Sequence, residues 1–330
     1  MSLASRRATF RPPCGGHRIA AMWLVCLAGC SPAPPSPTSN PAPAPRAFDP
    51  PDYTLAPIVD EHERDAPRLR VVSAAPVLTE LCCALGLRES LVGRTRYCVH
   101  PPGVEAIPSI GALSDTNTEL LLKLRPDLVL VSGSSRSIIE RLTPLNLRVE
   151  SVPDESLADI FTALKRIGVL LGRERTAACL CQRIEADLSA VDRAHPGSTP
   201  RRVLLVLAPL AEPPAPPFAA GAHSYYDDLL RRAGHQNVVE TDGLAFAPLA
   251  LEFIVRSDPD VIIEIDPGGG RREHGDADAL RAWGALAPMK AVREHRVHVL
   301  RGGEHFLPGP RVARTYAALR ELIDGPERAP

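Results

Sequence analysis

One nine-residue pattern occurs twice in this chain, and it constrains the fold more than any other feature. In the first half it reads Glu119-Leu-Leu-Leu-Lys-Leu-Arg-Pro126-Asp127, followed by Leu-Val-Leu. In the second it reads Glu252-Phe-Ile-Val-Arg-Ser-Asp-Pro259-Asp260, followed by Val-Ile-Ile. Each copy opens a helix at a Glu, stops it at Pro-Asp, and continues into an unbroken apolar run of the kind buried on both faces of a parallel sheet. A chain that builds this unit twice is expected to form two lobes of similar build, and small-molecule sites favour the cleft between lobes.

The surrounding pattern supports an α/β class. Strands are expected at 69–72, 90–92, 127–131 and 148–152, with helices at 79–87 (closed by Gly86), 118–124 (capped by Asn117) and 138–145. A second series places strands at 203–207, 260–265 and 296–300, and helices at 225–233, 249–256 and 310–323. The stretches 209–217 and 268–278 read as surface loops. Between the series, Leu157, Ile160, Phe161, Leu164, Ile167 and Leu171 recur at helical spacing. Gly172 interrupts, and Cys181, Ile184, Leu188 and Val191 resume the period until His195-Pro196-Gly197 ends it. The second segment, about twenty residues or ~30 Å long, is the expected linking helix.

The first residues read as a targeting segment. Arg6, Arg7, Arg11 and Arg18 precede a short apolar run that ends in Leu27-Ala28-Gly29-Cys30. Small residues before a cysteine form a lipobox, so residues 1–30 are expected to be a lipoprotein signal with Cys30 as the lipid anchor. Residues 31–67 are rich in Pro, Ala and Ser and are expected to be an extended tether. The remaining expected boundaries are a first lobe at 68–153, a helical segment at 154–195 and a second lobe at 196–330. Cys82, Cys83, Cys98, Cys179 and Cys181 remain after the signal, an odd number without a CxxC pair, which argues against a structural zinc site. The formal net charge of -1 gives no electrostatic case for nucleic acid or an anionic membrane surface. There is no GxSxG, HExxH or strand-linked GxGxxG, so catalysis is not expected.

Six segments together resemble a known family. They are RVVSAAPVLTELCCALGL (70–87), VGRTRYCVHPP (92–102), NTELLLKLRPDLVLVSG (117–133), YDDLLRRAGHQNVV (226–239), LEFIVRSDPDVII (251–263) and PGPRV (308–312). In this order, behind a lipobox and around a long helix, they resemble the helical-backbone class of periplasmic substrate-binding proteins, which includes vitamin B12-, haem- and ferric-siderophore-binding lipoproteins.

The resemblance implies two Rossmann-like α/β lobes with parallel sheets, bridged by one long backbone helix. It implies capture of a cobalt- or iron-containing chelate (corrinoid, ferric siderophore or haem) with no intrinsic cofactor. It implies delivery to an ABC permease dimer with its ATPase, by a monomer held in the periplasm or at the cell surface. Glu119 and Glu252 match the carboxylates that dock on the permease. Tyr97 and Phe246 match ligand-facing aromatics, whereas Leu113 and Ser132 stand where tryptophans occur in the B12 branch, which makes a less aromatic cleft. The segment from Arg301 to Leu307, with Glu304 and Phe306, would form a cleft loop, and Arg311 could meet an anionic group. His100, His223 and His305 are the candidate metal-touching side chains, beside Tyr97 or Cys98, with His223 and His305 preferred. His62, His195, His235, His274, His295 and His298 read as surface or turn residues. Three alternatives stay open: a receptor for bare zinc or manganese using His223, His305, Glu304 and Asp266, a hydrolytic α/β enzyme, and a binding fold serving only as an interaction module.

Overall fold

The computed structural model describes residues 48–325, apart from 66–67, 113–114, 134–135, 209, 211–214, 241–243 and 269–274, and describes 136–137 by backbone only. The signal, Cys30, Leu113 and His274 lie outside the described residues.

The first lobe contains β1 (Val71–Ser73), α1 (Pro76–Ala84), β2 (Leu91–Arg94), α2 (Thr118–Lys123), β3 (Leu128–Ser132), α3 (Arg136–Leu142) and β4 (Val149–Val152). Its four strands run parallel in the order β2-β1-β3-β4. Two helices follow, α4 (Leu157–Leu171) and α5 (Glu174–Ala194). The second lobe contains β5 (Arg202–Val206), β6 (Phe218–Ala220), α6 (Tyr225–Arg232), β7 (Gln236–Asn237), β8 (Phe246–Pro248), α7 (Leu251–Ser257), β9 (Val261–Asp266), α8 (Asp276–Gly284), α9 (Lys290–Arg293), β10 (Val297–Arg301) and α10 (Val312–Asp324). Its sheet runs β10-β9-β5-β6-β8, with β7 also paired to β5.

Parallel pairing holds throughout the first sheet and for β10, β9, β5 and β7 in the second. The strands β6 and β8, not expected from the sequence, run antiparallel to their neighbours. Each is only three residues long, too short for a periodic signal. Helix α8 likewise begins inside the stretch read as a loop, and its Trp283 is fully buried with Nε1 donating to Glu264 at 2.9 Å.

The repeated Pro-Asp has a structural cause. In the first lobe the Asp127 carboxylate accepts from the Arg70 backbone N–H at 2.7 Å, and the Asp127 N–H donates to the Arg70 carbonyl at 2.8 Å. In the second, Asp260 makes the same pair with Arg202 at 2.7 and 2.8 Å. Each Asp therefore joins the start of one strand to the start of its parallel neighbour, where the ladder would leave groups unpaired.

The break at Gly172 follows from its backbone. It caps α4 at φ +65, the left-handed region that glycine enters without a Cβ penalty. Helix α4 packs against α1 of the first lobe and α6 of the second, and α5 packs against α4 and α10. One apolar core runs from Val71 and Leu78 through Ile160, Ile184 and Leu188 to Val203, Ile263 and Tyr316, so the lobes are joined by buried side chains as well as by covalent connection.

Part of the segment expected to be a tether packs against the fold. Residues 48–63 form an ordered strap. The Tyr53 hydroxyl donates to Asp187 of α5 at 2.7 Å, and burial beside that carboxylate pushes the phenol well up. Arg314 of α10 donates to the Pro50 carbonyl at 2.7 Å. The Glu63 carboxylate accepts from the Arg175 and Thr176 N–H groups at 2.7 and 3.0 Å, and so caps the otherwise uncapped start of α5. Val59 packs over Gly86, whose φ is +71, and a Cβ there would collide with Val59 Cγ2. No described helix is long and apolar enough to cross a membrane.

Candidate functional site

The cleft between the lobes holds a cavity of about 570 Å³. The first lobe lines it with Pro76, Glu80, Arg96, Tyr97, Val99 and His100. The second contributes Pro267, Gly268, Gly303, Phe306, Leu307 and Arg311. Apart from Glu80, in the second turn of α1, these lie on strand-to-helix connections or first helical turns at the carboxyl ends of parallel strands, the general position of ligand sites in open α/β sheets.

Buried polar contacts shape the first wall. At the end of β2, the buried Arg94 donates to the carbonyls of Thr95 (2.9 Å), Val104 (2.9 Å) and Glu105 (2.8 Å). This guanidinium holds both ends of the 95–104 loop. The Cys98 N–H donates to the Thr95 carbonyl at 3.2 Å, and Cys98 Sγ lies 3.1 Å from Thr95 Oγ1. Cys98 is thereby turned inward, while Tyr97 and Val99, each 61% exposed, project into the cleft. Cys98 is therefore a loop anchor rather than a cavity donor, and all five described cysteines are free thiols.

The opposite wall is a loop after β10. The carbonyl of His305 accepts from two buried phenols, Tyr225 at 2.8 Å and Tyr226 at 2.5 Å. His305 Nδ1 lies 3.2 Å from Thr315 Oγ1 on α10. With 2% of its surface exposed, His305 fastens the loop to the core and does not line the cavity, contrary to its expected role. Phe306, next in sequence, is turned outward and does line it.

The other preferred histidine is also displaced. His223 is exposed at φ +72, just before the Ser224 cap of α6, and is not a cavity residue. Phe246 is half-buried against the core, edge-on to Tyr226 with ring centroids 6.3 Å apart, and it too lies outside the cavity lining. Ser132, at a position expected to face the ligand, donates its hydroxyl to Asp154 at 2.6 Å. Burial pushes the Asp154 carboxyl up. His235 and His298, read as surface residues, are buried, with His235 Nε2 3.1 Å from Asp324 and His298 Nδ1 3.4 Å from Asp276.

Arg311 is committed within the protein. Its Nε and Nη2 reach the two oxygens of Glu80 at 3.0 and 2.6 Å, a buried bidentate pair between α10 of one lobe and α1 of the other. Burial pushes the Glu80 carboxyl up against the pull of the guanidinium. The sequence signal for Glu80 is a lone carboxylate inside the apolar run Val77-Leu78-Thr79-Glu80-Leu81-Cys82, which requires a buried partner.

His100 is the candidate histidine that the fold does bring to the cavity. Among the described residues there is no cluster of three His, Cys, Asp or Glu side chains able to hold a bare metal ion. Glu119 and Glu252 lie outside the cleft, exposed in the first turns of α2 and α7.

Comparison with known proteins agrees with this architecture. Residues 71–302 match the family described as periplasmic binding protein. An ABC transporter substrate-binding lipoprotein of Bacillus subtilis (strain 168) is 26% identical over 260 residues, covering 77% of this chain and 79% of that protein. A vitamin B12-binding protein of Salmonella paratyphi A is 25% identical over 202 residues, covering 61% of this chain and 73% of its own length. The crystal structure of a periplasmic haem-binding protein from Pseudomonas aeruginosa superimposes with a TM-score of 0.62 at 27% identity, covering 79% of this chain and 94% of that one. With the match spanning both lobes and the linking helices, the chain belongs to the periplasmic binding protein family.

Proposed function

We propose that this protein is the substrate-binding lipoprotein of an ABC importer, and that it captures a metal chelate with a broad apolar face between its lobes. The observation that carries this reading is the composition of the cavity. Its volume, about 570 Å³, lies in the range of sites for small organic ligands. Pro76, Tyr97, Val99, Pro267, Phe306 and Leu307 offer apolar and aromatic surface to a flat ligand. Arg96, exposed beside them and ion-paired with Asp115, can exchange that partner for an anionic edge of the ligand. Tyr97 supplies a phenol oxygen that suits ferric iron, which favours haem over a corrinoid or a ferric siderophore. The names of the Salmonella and Pseudomonas relatives support the same ligand class.

Delivery uses the repeated surface. Glu119, Leu122 and Lys123 of α2 are exposed around the buried Leu121, and Glu252, Val255 and Arg256 of α7 are exposed around the buried Ile254. Two matching patches, each with a carboxylate, an aliphatic side chain and a cation, fit a partner that presents two equivalent subunits, here the permease dimer with its ATPase. Cys30 carries the lipid that holds the monomer in the periplasm or at the cell surface.

The test is titration of the full chain with hemin, aquocobalamin, cobinamide and a ferric-siderophore panel, followed by visible absorption. Saturable binding of one chelate, weakened by Tyr97→Ala and Phe306→Ala, supports the reading. Calorimetric uptake of zinc or manganese with no chelate binding, or turnover of an ester substrate, refutes it.

A further inference from the structure

We propose that the N-terminal strap is a brace between the lobes: it ties the start of α10 to the first-lobe loop that carries His100, and so holds the cleft at one width. The brace stands on the structure without a ligand; its effect on ligand retention rests on the chelate reading above.

Two links cross from α10 to the first lobe in parallel. Arg311 and Arg314 sit three positions apart at the start of α10, a spacing that places them side by side. Arg311 crosses directly, to Glu80 at 3.0 and 2.6 Å. Arg314 crosses through the strap. Its Nε donates to the Pro50 carbonyl at 2.7 Å, and its Nη2 lies 3.8 Å from Asp49 Oδ2. Two residues on, His100 Nε2 lies 3.0 Å from Asp52 Oδ2 and 2.7 Å from Thr54 Oγ1. Glu80 and His100 both line the cavity, so the two links reach the first lobe at the cavity wall.

The strap is built to carry tension. Asp52 Oδ1 accepts from the Thr54 N–H at 2.9 Å and from its hydroxyl at 2.5 Å, and the Asp52 carbonyl accepts from the N–H groups of Leu55 and Ala56 at 3.2 and 3.4 Å. These bonds close residues 52–56 into a tight turn. Burial works against the Asp52 carboxylate, yet the bonds from His100 and Thr54 outweigh it and hold the group well below the usual carboxylate range. Tyr53 is buried with its hydroxyl on Asp187 of α5, Val59 packs over Gly86 just past α1, and Glu63 caps α5. A strap fixed to the first lobe, the linking helix and α10 resists any movement that separates them: a wider cleft must break the Arg314–Pro50 or the Asp52–His100 contact as well as Glu80–Arg311. A cleft already held at one width spends little binding energy on closing, and its affinity is not divided among open states.

The test measures the distance between the lobes in the full chain. Spin labels are carried on a ketone-bearing unnatural amino acid at Glu140 of α3 and Arg281 of α8, both exposed, which leaves the cysteines untouched. Double electron–electron resonance of the ligand-free chain should give one narrow distance distribution. Arg314→Met, and a chain with residues 48–56 replaced by Gly and Ser, should each broaden it; a distribution unchanged in both overturns the brace. Asp52→Ala combined with Arg314→Met should broaden it no more than the stronger single change, because one link is being cut at two points. Additive broadening overturns the single link and leaves two unrelated contacts. Hemin should leave the Arg314→Met chain about twofold to tenfold faster than the wild type, the worth of one hydrogen bond of ordinary net strength, read by visible absorption during transfer to a haem-scavenging apoprotein. A broadened distribution with an unchanged rate of hemin loss refutes the retention role. If the wild-type chain takes up neither hemin nor cobinamide, the chelate reading and the retention role fall together, and the distance measurement alone decides the brace.

Discussion

The Glu80–Arg311 pair predicts a large and asymmetric response to mutation. Both side chains are buried, and they join the lobes at the cavity. Arg311→Met removes the only guanidinium bonded to the Glu80 carboxylate among the described residues, and stranding one member of a buried pair costs about 3–5 kcal/mol. For a domain of this size that is a fall of roughly 6–20 °C in melting temperature. Glu80→Gln should cost less, about 1–3 kcal/mol, because Arg311 keeps the Glu304 carboxylate 3.8 Å from Nη1. The double variant Glu80→Leu, Arg311→Met should recover most of the loss.

The pH dependence has a definite sign. The Glu80 carboxyl is already raised in the fold, and losing Arg311 raises it further. The folded state of the variant then binds more protons than the unfolded chain above the ordinary glutamate pKa, so stability falls as pH rises through that window. The Arg311→Met penalty should therefore be smallest near pH 4 and largest at pH 7 and above. Urea denaturation of the four proteins at pH 4.5 and 7.5 reads this directly. A penalty below about 1 kcal/mol at pH 7.5, or one equal at both pH values, would refute the reasoning.

Three further outcomes follow from the same structure. Burial of Asp324 is outweighed by its bonds to His235 and Arg320, which hold its pKa at about 2, so its stabilisation is complete above the unfolded carboxylate value and lost as pH falls through about 2. Asp324→Asn should accordingly cost on the order of 2 kcal/mol at neutral pH and much less at pH 2, measured by thermal melts. Gly86→Ala must adopt φ +71 and meet Val59, so it should cost about 1–3 kcal/mol and expose the strap to limited proteolysis. Charge reversal at both Glu119 and Glu252 to Lys should abolish uptake in a reconstituted importer while leaving chelate affinity unchanged; undiminished uptake would exclude these patches as the docking surface.

Some of the site was legible before the structure and some was not, for physical reasons. Tyr97, Phe306 and His100 fall on loops between strand and helix signals, and such loops meet at the cleft in any fold of this class. His305 and Phe306 are adjacent and both were expected at the ligand, but only Phe306 lines the cavity, because two tyrosine hydroxyls on α6 bond the His305 carbonyl and His305 itself is buried. Nothing within residues 301–307 reports contacts with Tyr225 and Tyr226, some eighty positions away. Glu80 and Arg311 are separated by more than two hundred residues, so their pairing has no local signal at all.

Local pattern settles what depends on neighbours along the chain: the two α/β series, the Gly172 break, the Asn117 cap with its 2.9 Å bond from Leu120, and the duplicated Glu-to-Asp unit. These follow from hydrophobic periodicity, backbone sterics and capping, which act over a few residues. Tertiary structure alone decides the short antiparallel strands β6 and β8, the strap that packs part of a Pro-rich leader against α5, α10 and His100, and the choice of His100 over His223 and His305. Each of these depends on which distant donor or acceptor a buried polar group finds, and that is settled only when the lobes close on one another.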